Sequence, residues 1–498
     1  MQRYLKLLLA LLLMLALAAC GGGDNAEDGG DNDVAERADI DGENPFLDRV
    51  DADTAYIYAN LQRLPNALIE AIWAANDASA ASNQQILRAM EEDENTPPET
   101  QALLTELMNL ATREGWEGAG LSINPKYALH AVSVFPFMHM ELDDRTAFDA
   151  LIQRVEDSLE APLQRRDVDG ENVMWFELDS NFGIAVHVSD NAVSAAVIPD
   201  QASLMTRLTN QVEPSDAMSA DQLEDFNNSL DFTAHGSGFF DWQRIISELQ
   251  TPSAELLALD TDGTLSLLSE NPACVTELNA LTTAMPRMVY GYTELDRDTM
   301  DFMLRQETSA ELGNALAPIT QSPVSIDQPL DGLFNFGMAF DLIAAREFAQ
   351  NLVNGWVENP PQCPLFHGVT NGAESMQANL NRPIPPMVTN MQGLFIEAMD
   401  FNMINGQQPE FTGTVSFFMN NPQLLVGMAQ MFSPAVAALE LSPGEPPLPV
   451  PSEAIPPQLQ AMNLQAWIGM GENAIGMAIG EAHIDALEQR LEPTDADP

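Results

Sequence analysis

The sequence predicts an α+β fold in which strand, helix, hairpin and helix recur as a unit, building large antiparallel sheets covered by helices. Three observations lead there. Alternating apolar and polar stretches come in pairs, as in RMVYGYTEL followed by DTMDFMLRQE. Amphipathic helical patterns separate the pairs; one places Phe148, Leu151, Ile152, Val155 and Leu159 on a single face. The order of elements also repeats, with short matching phrases such as FFDWQRI with AFDLIAA and TMDFML with TVSFFM.

The first α+β half is expected over residues 45–215. It opens with the strand TAYIYANL (54–61), followed by helical patterns from Pro65 to about Trp116. GAGLSIN and YALHAVSVFPFMHMEL then read as paired strands around a turn at Asn124, Pro125 and Lys126. The second repeat unit, 216–325, opens with DFTAHGSGFFDWQRII and carries Cys274 in a helical stretch. Its closing helix is predicted to begin at Thr308, with Glu311 three residues on as a capping box. The third unit, 326–498, opens with LFNFGMAFDLIAA, and its closing helix starts at Asn421 and Pro422, an N-cap followed by proline. A proline-rich linker (442–458) leads to a terminal hairpin and helix. That hairpin, QAWIGMGENAIGMAIG, matches GIAVHVSDNAVSAAVI of the first half, both turning on an acid followed by Asn.

Charge is the compositional outlier. The 498 residues hold 74 Asp and Glu against 20 Lys and Arg, a formal net charge of −54, and Lys6 and Lys126 are the only lysines. A field of that sign repels phosphate backbones, so nucleic acid is excluded as a partner. Acid enrichment with lysine depletion suits a surface bathed in salt, where ions screen self-repulsion. At 45% hydrophobic residues the chain can still bury ordinary cores.

The chain begins MQRYLKLLLALLLMLALAAC: a basic end, an apolar run and small residues before Cys20. Residues 1–19 read as a lipoprotein signal peptide. Leu17, Ala18, Ala19 and Cys20 resemble the lipobox of bacterial lipoproteins, which implies that Cys20 carries the lipid and anchors the chain to a membrane. Gly21 stands where lipoproteins kept in the inner membrane carry Asp, so the resemblance implies the outer membrane, on its periplasmic side. Residues 20–44 hold nine acids, one arginine and many glycines and form an acidic flexible tether, with a reach on the order of 27 Å. Cys274 and Cys363 are the remaining cysteines, and an oxidising compartment favours a disulfide between them. DRVDADTAYIYANL and ELDDRTAFDALIQRV resemble phrases from an uncharacterised family of bacterial secreted and membrane-anchored proteins, a likeness that brings no catalytic residues.

The candidates for chemistry are few. The histidines at 130, 139, 187, 235, 367 and 483 are scattered, without spacing that sets two imidazoles on one ion. Met138, His139 and Met140 suggest copper, but alternation along a strand turns His139 away from both methionines. His235 and Ser237 sit in AHGSG, with His235 where a nucleophile elbow needs glycine. Asp39–Gly42, Asp167–Gly170 and Asp260–Gly263 read as tight turns rather than calcium loops, because Arg37, Arg165 and Ala258 stand where an earlier oxygen ligand is needed. Met303, Met419, Met470 and Met477 fall in strands, as core filler or pocket lining. No cofactor or metal is expected. The sequence therefore points to a non-enzymatic binding or scaffold protein of the cell envelope. The alternatives are a carrier or chaperone for a lipid or other apolar ligand, with a cavity lined by Met, Leu and Phe, and a hydrolase using His235 and Ser237.

Overall fold

A computed structural model describes residues 44–77, 105–158 except 107, 163–178, 182–260, 263–320 except 298, 334–384 except 340, 389–404, 408–432, 439–451 and 465–491. The signal peptide, Cys20, the tether through residue 43, residues 78–104 of the expected helical stretch, Leu159, residues 452–458 of the proline-rich linker and the Asp39–Gly42 string lie outside the described residues. Asn44, expected to end the tether, is instead buried, its side chain donating to the Asn60 and Tyr127 carbonyls at 2.8 Å each. The fold is α+β, and the chain divides into two compact units, residues 1–309 and 310–498.

The first unit is built on a ten-stranded antiparallel sheet. Its strands are β1 (Tyr56–Ala59), β2 (Tyr127–Val132), β3 (Phe135–Glu141), β4 (Gln164–Val168), β5 (Glu171–Glu177), β6 (Phe182–Val188), β7 (Ala192–Pro199), β8 (Ser237–Asp241), β9 (Arg287–Leu295) and β10 (Met300–Gln306). They lie in the order β10-β9-β8-β1-β2-β3-β7-β6-β5-β4. The helices used below are α1 (66–77), α2 (Arg145–Asp157), α3 (Ala202–Leu208), α4 (Ala220–Leu230), α5 (Trp242–Gln250) and α6 (Pro272–Ala284).

Local chemistry sets the ends of these elements. Asp144 caps α2 by accepting from the Thr146 and Ala147 amides at 2.8 and 3.2 Å. Phe148 and Leu151 of α2 are buried on one face of the sheet with Trp116, Ile184 and Val186. Leu204, Met205 and Leu208 of α3 are buried with Phe137, Trp175 and Ile198. Asp169 (φ 53°) and Gly170 (φ 91°) form a two-residue turn between β4 and β5 with both residues left-handed, the geometry Asp-Gly favours.

The hairpin expected around Asn124–Lys126 turns elsewhere. β2 and β3 pair from Tyr127 with Met140 to Val132 with Phe135, so the turn is Ser133 and Val134, with Ser133 at φ 56°. GAGLSIN contributes only an isolated bridge between Leu121 and Leu142. Ser-Val gives no glycine or asparagine signal, which is why the pattern pointed to the proline instead. Likewise the helix after β10 begins at Ala310, so Ser309, not Thr308, precedes it. A capping box does occur at α4, where Ser219 Oγ accepts from the Gln222 amide and the Gln222 side chain accepts from the Ser219 amide.

β8 joins the two halves of the sheet. It pairs antiparallel with β1, Ile57 opposite Phe239, and with β9. Gly238 makes the close approach possible: a Cβ built there stands 1.9 Å from the Ile57 carbonyl oxygen. The ring of Tyr290 on β9 reaches across β8, and its hydroxyl donates to that same oxygen at 3.1 Å. Gly238→Ala is expected to cost about 1–3 kcal/mol, because backbone rather than a flexible side chain must yield. A urea midpoint unchanged from wild type would contradict this.

The second unit has a six-stranded antiparallel sheet. Its strands are β11 (Phe334–Ala339), β12 (Met391–Ile404), β13 (Gln408–Met419), β14 (Leu448–Pro449), β15 (Ala466–Met470) and β16 (Ala474–Ile479), in the order β11-β12-β13-β16-β15-β14. The helices are α7 (Ala310–Thr320), α8 (Leu342–Glu358), α9 (His367–Leu380), α10 (Pro422–Phe432) and α11 (Ile484–Leu491). α10 begins at Pro422 as expected, with the Asn421 side chain accepting from the Leu424 amide at 3.3 Å.

The repetition seen in the sequence is a repetition of topology. The order β1-β2-β3-β7-β6-β5 of the first sheet is the order β11-β12-β13-β16-β15-β14 of the second: an opening strand, a hairpin, then a later hairpin laid against it in reverse. β8, β9 and β10 supply the opening strand and hairpin once more. The match of FFDWQRI with AFDLIAA has a physical counterpart, since Asp241 caps α5 and Asp341 caps α8 through their carboxylates.

α11 packs on one face of the second sheet, burying Leu487 and Leu491 against Ala474 and Ala478. Beneath it Arg490 and Glu397 form a buried bidentate pair, with N···O distances of 3.3 and 3.0 Å. The Arg490 guanidinium lies 4.6 Å from the Phe395 ring centroid. Met419, Met470 and Ile475 pack with Val426 of α10. Of the four methionines named above, Met419 and Met470 are buried in this core, and Met303 packs, partly buried, against the core of Leu230, Phe232 and Val289.

Candidate functional site

The first sheet gathers the tyrosines. Of six in the chain, all but Tyr4 lie on β1, β2 and β9: Tyr56, Tyr58, Tyr127, Tyr290 and Tyr292. Alternation puts Tyr56 and Tyr58 on one face while Ile57 and Ala59 face a core containing Phe46, Val50 and Leu223. The rings form a continuous path, Tyr127 to Tyr58 at 5.5 Å, Tyr58 to Tyr290 at 5.7 Å and Tyr290 to Phe302 at 6.5 Å between centroids. Phe240 and Trp242 extend it, stacked at 5.9 Å. Burial pushes the Tyr56 and Tyr290 hydroxyls far above the usual tyrosine range, so both stay protonated as donors. The path ends in the open on β10, where Phe302 is 49% and Leu304 62% exposed.

At its other end the face runs into an apolar cavity of about 60 Å³, lined in part by Ile69, Ile72, Trp73, Trp116, Tyr127 and Tyr292. The indole N–H groups of Trp73 and Trp116 donate to the carbonyls of Ile123 and Ser122, at 3.2 and 2.8 Å, and so fix the loop that closes it. Lys126 follows that loop. It is only 2% exposed, and its ammonium donates to the Leu61 carbonyl. Among the described residues that line it, Met140 is the one methionine and none is phenylalanine.

On the opposite face of β2 and β3 lies a buried polar chain. His130 and His139 are each 1% exposed, with their Nε2 atoms 3.2 Å apart. The ends fix its direction. His130 Nδ1 sits 3.2 Å from the Ala131 carbonyl oxygen and must donate, which leaves its Nε2 as acceptor from His139 Nε2. His139 Nδ1 then accepts from Ser194 Oγ at 2.8 Å, and Ser194 Oγ accepts from Arg49 at 3.2 Å. Both imidazoles are neutral in this arrangement. Burial holds His130 down to about 4 and His139 well below its ordinary value, with Arg49 and Arg207 adding repulsion to each. Those guanidiniums also oppose a cation between the rings. Among the described residues, no three His, Cys, Asp or Glu side chains gather as a metal site.

The structure separates the other residues singled out by sequence. Met138 and Met140 lie on the cavity side of β3, opposite His139, as alternation requires. Ser237 is fully buried, and its hydroxyl donates to Asn227 Oδ1 at 2.5 Å, while His235 Nδ1 donates to the Arg63 carbonyl at 2.7 Å. Nothing there exposes a nucleophile. Asp167 accepts from the Gly170 amide at 3.3 Å, and Asp260 accepts from the Leu265 and Ser266 amides at 3.0 Å each. Both carboxylates hold turns. Cys274 in α6 and Cys363 before the short turn Pro364–Phe366 are fully buried, and each is disulfide-bonded.

No protein-family profile matches the chain, and no curated protein is similar to it. Two crystal structures of TP0453 are similar in part. Form I has 9% identity and a TM-score of 0.23, covering 53% of this chain and 79% of that one. Form III has 10% identity and a TM-score of 0.26, covering 57% and 89%.

Proposed function

We propose that this chain is a lipoprotein, held in the outer membrane by a lipid on Cys20 with its folded part on the periplasmic side. It serves there as a non-enzymatic binding or scaffold protein of the cell envelope. The aromatic face carries this reading: half-buried Tyr56, Tyr58, Tyr127, Tyr290, Phe240 and Trp242 form a rigid, ring-packed floor that runs out to exposed Phe302 and Leu304, and aromatic side chains are what protein recognition surfaces favour. A photo-crosslinking residue replacing Phe302 in the intact envelope is expected to trap a discrete partner. The same residue replacing Val212, 50% exposed and away from that face, is expected to trap none. Equal labelling from both positions would remove the proposal.

A second reading, a carrier or chaperone for a lipid or other apolar ligand, is favoured by the cavity beside Trp73 and Trp116. Its volume of about 60 Å³ holds about two waters, so an acyl chain would require it to open. Native mass spectrometry of the purified chain, with organic extraction alongside, distinguishes the two. A ligand-free mass is expected, and stoichiometric lipid would put the carrier in its place. We further propose that Cys274 and Cys363 pair with each other; alkylation in the same spectra should label both only after reduction.

A further inference from the structure

Residues 44–51 lie against one face of the first sheet, and the buried histidines lie beneath them. Phe46, Leu47 and Val50 are buried in one cluster with Ile57, Ala59, Ala128 and Ala192. The Phe46 ring stacks on His139, with 6.0 Å between centroids and 22° between planes. Arg49 lies 5.6 Å from the centroid of the same phenylalanine and donates to Ser194 Oγ at 3.2 Å, the hydroxyl that donates to His139 Nδ1. At the far end the Met218 amide donates to the Val50 carbonyl and the Ala52 amide to the Asp216 carbonyl, at 2.9 Å each, and Asp51 pairs with Arg207 of α3 at 2.7 Å.

A proton on the histidine pair acts directly on this segment. On His139 Nδ1 it takes away the acceptor of Ser194 and sets an imidazolium and the Arg49 guanidinium on one hydroxyl oxygen. On His130 Nε2 it brings two donors face to face across 3.2 Å. The charged groups acting on the rings are Arg49, Arg207 of α3 and, for His139, His187 of β6, and each opposes a positive ring. The nearby acids are engaged elsewhere: Asp51, with Asp53 and Glu248 beside it, by Arg207, and Glu171 of β5 by His187 Nε2 at 3.1 Å. Burial holds Asp51 above the usual carboxylate range, so acid weakens its pair with Arg207 as well. The strands beneath are far harder to move, since β2, β3 and β7 are each hydrogen-bonded to a neighbour along both edges.

We propose that residues 44–51 are an acid-released strap: protonation of His130 and His139 lifts this segment from the sheet, while β2, β3 and β7 stay paired beneath it. Lifting the strap admits water to the rings and returns His130 from about 4 towards its ordinary 6.5, so the open form binds protons and gains as pH falls from about 6.5 towards 4. His130 alone makes opening about 30-fold more frequent at pH 5 than at pH 7.5. In a chain anchored through Cys20, as proposed above, the freed residues add about 26 Å of reach at about 3.3 Å per residue. That consequence rests on the anchor; the release does not.

Hydrogen exchange of the full chain in mild detergent, corrected for the intrinsic effect of pH on exchange, tests this. Between pH 7.5 and 5 the amides of Leu47, Arg49, Val50 and Ala52 should lose about 30-fold or more in protection, while those of β3 and β7 keep theirs. No loss in the strap, or an equal loss in strap and strands, overturns the proposal. His130→Gln with His139→Gln should flatten the pH dependence of the strap, and a folded variant that keeps it overturns the proposal. If that variant fails to fold, Asp51→Asn decides: the pH dependence should persist without this carboxylate, and its disappearance would assign the release to Asp51 instead of the histidines.

Discussion

Glu397→Ala is expected to destabilise the second unit by about 3–5 kcal/mol, because it leaves the Arg490 guanidinium buried without its anion. Both partners are almost fully enclosed, with side-chain exposures of 7% for Arg490 and 1% for Glu397, so water cannot replace the lost carboxylate. Thr414 Oγ1, which donates to Glu397 Oε2 at 3.3 Å, loses its acceptor as well. Replacing both partners together, Glu397→Leu with Arg490→Met, should recover most of the loss, since the desolvation cost of the pair disappears with the charges. Urea unfolding followed by near-ultraviolet circular dichroism measures all three proteins. A single variant within about 1 kcal/mol of wild type would show that the pair is hydrated rather than sealed.

Lowering the pH from 7.5 to 4 is expected to cost about 3 kcal/mol through His130 alone, with His139 adding to it. The sign follows from the direction of the shift. His130 is held down to about 4 in the folded protein against an ordinary 6.5, so the folded state binds fewer protons than the unfolded one. Its contribution is complete above the unfolded value and drains away as pH falls from about 6.5 towards 4. A proton on His130 Nε2 would meet the N–H of His139, and one on His139 Nδ1 would meet the hydroxyl of Ser194. Arg49 and Arg207 raise the cost further, while Glu171, 3.1 Å from His187 Nε2, is the nearby acid on the adjoining strands. Because 74 acids also titrate in acid, the informative quantity is a difference. His130→Gln with His139→Gln should flatten the loss between pH 7 and 5 relative to wild type, and parallel curves would refute the wiring.

Much of the framework could be read from the residues because it is local. Asn421 and Pro422 start a helix through their own chemistry, and Asp190 with Asn191 supports a tight turn whatever surrounds it. Repetition was legible for the same reason, as each unit carries its own alternation and the second and third each carry a capping aspartate after the opening strand. What stayed hidden depends on partners far away in the chain. Ser133 gives no sign that β2 turns there, since the pairing of Tyr127 with Met140 imposes it. The aromatic face comes together only when β8 brings β9 beside β1, so tyrosines 232 residues apart, Tyr58 and Tyr290, meet through strands that neither predicts. Glu397 and Arg490 gave no pattern, because a buried ion pair looks like two surface residues until the sheet closes over it. The histidines looked scattered for a related reason. His130 and His139 are nine residues apart around a hairpin whose turn the pattern misplaced, and only the true register sets their rings together.

The seam between β1 and β8 also has a consequence in time. Ile57 waits for Phe239, about 180 residues later, so at a synthesis rate of about 5–20 residues per second β1 stands uncovered on that side for about 9–36 seconds. Throughout that interval YIYA is a short apolar template with open amides and carbonyls, and the nascent chain is most vulnerable to capture by a neighbour. Chains interrupted between residues 60 and 236 should therefore aggregate more than chains released after β8, and a chaperone that guards this protein during its making should have most to hold before that strand arrives.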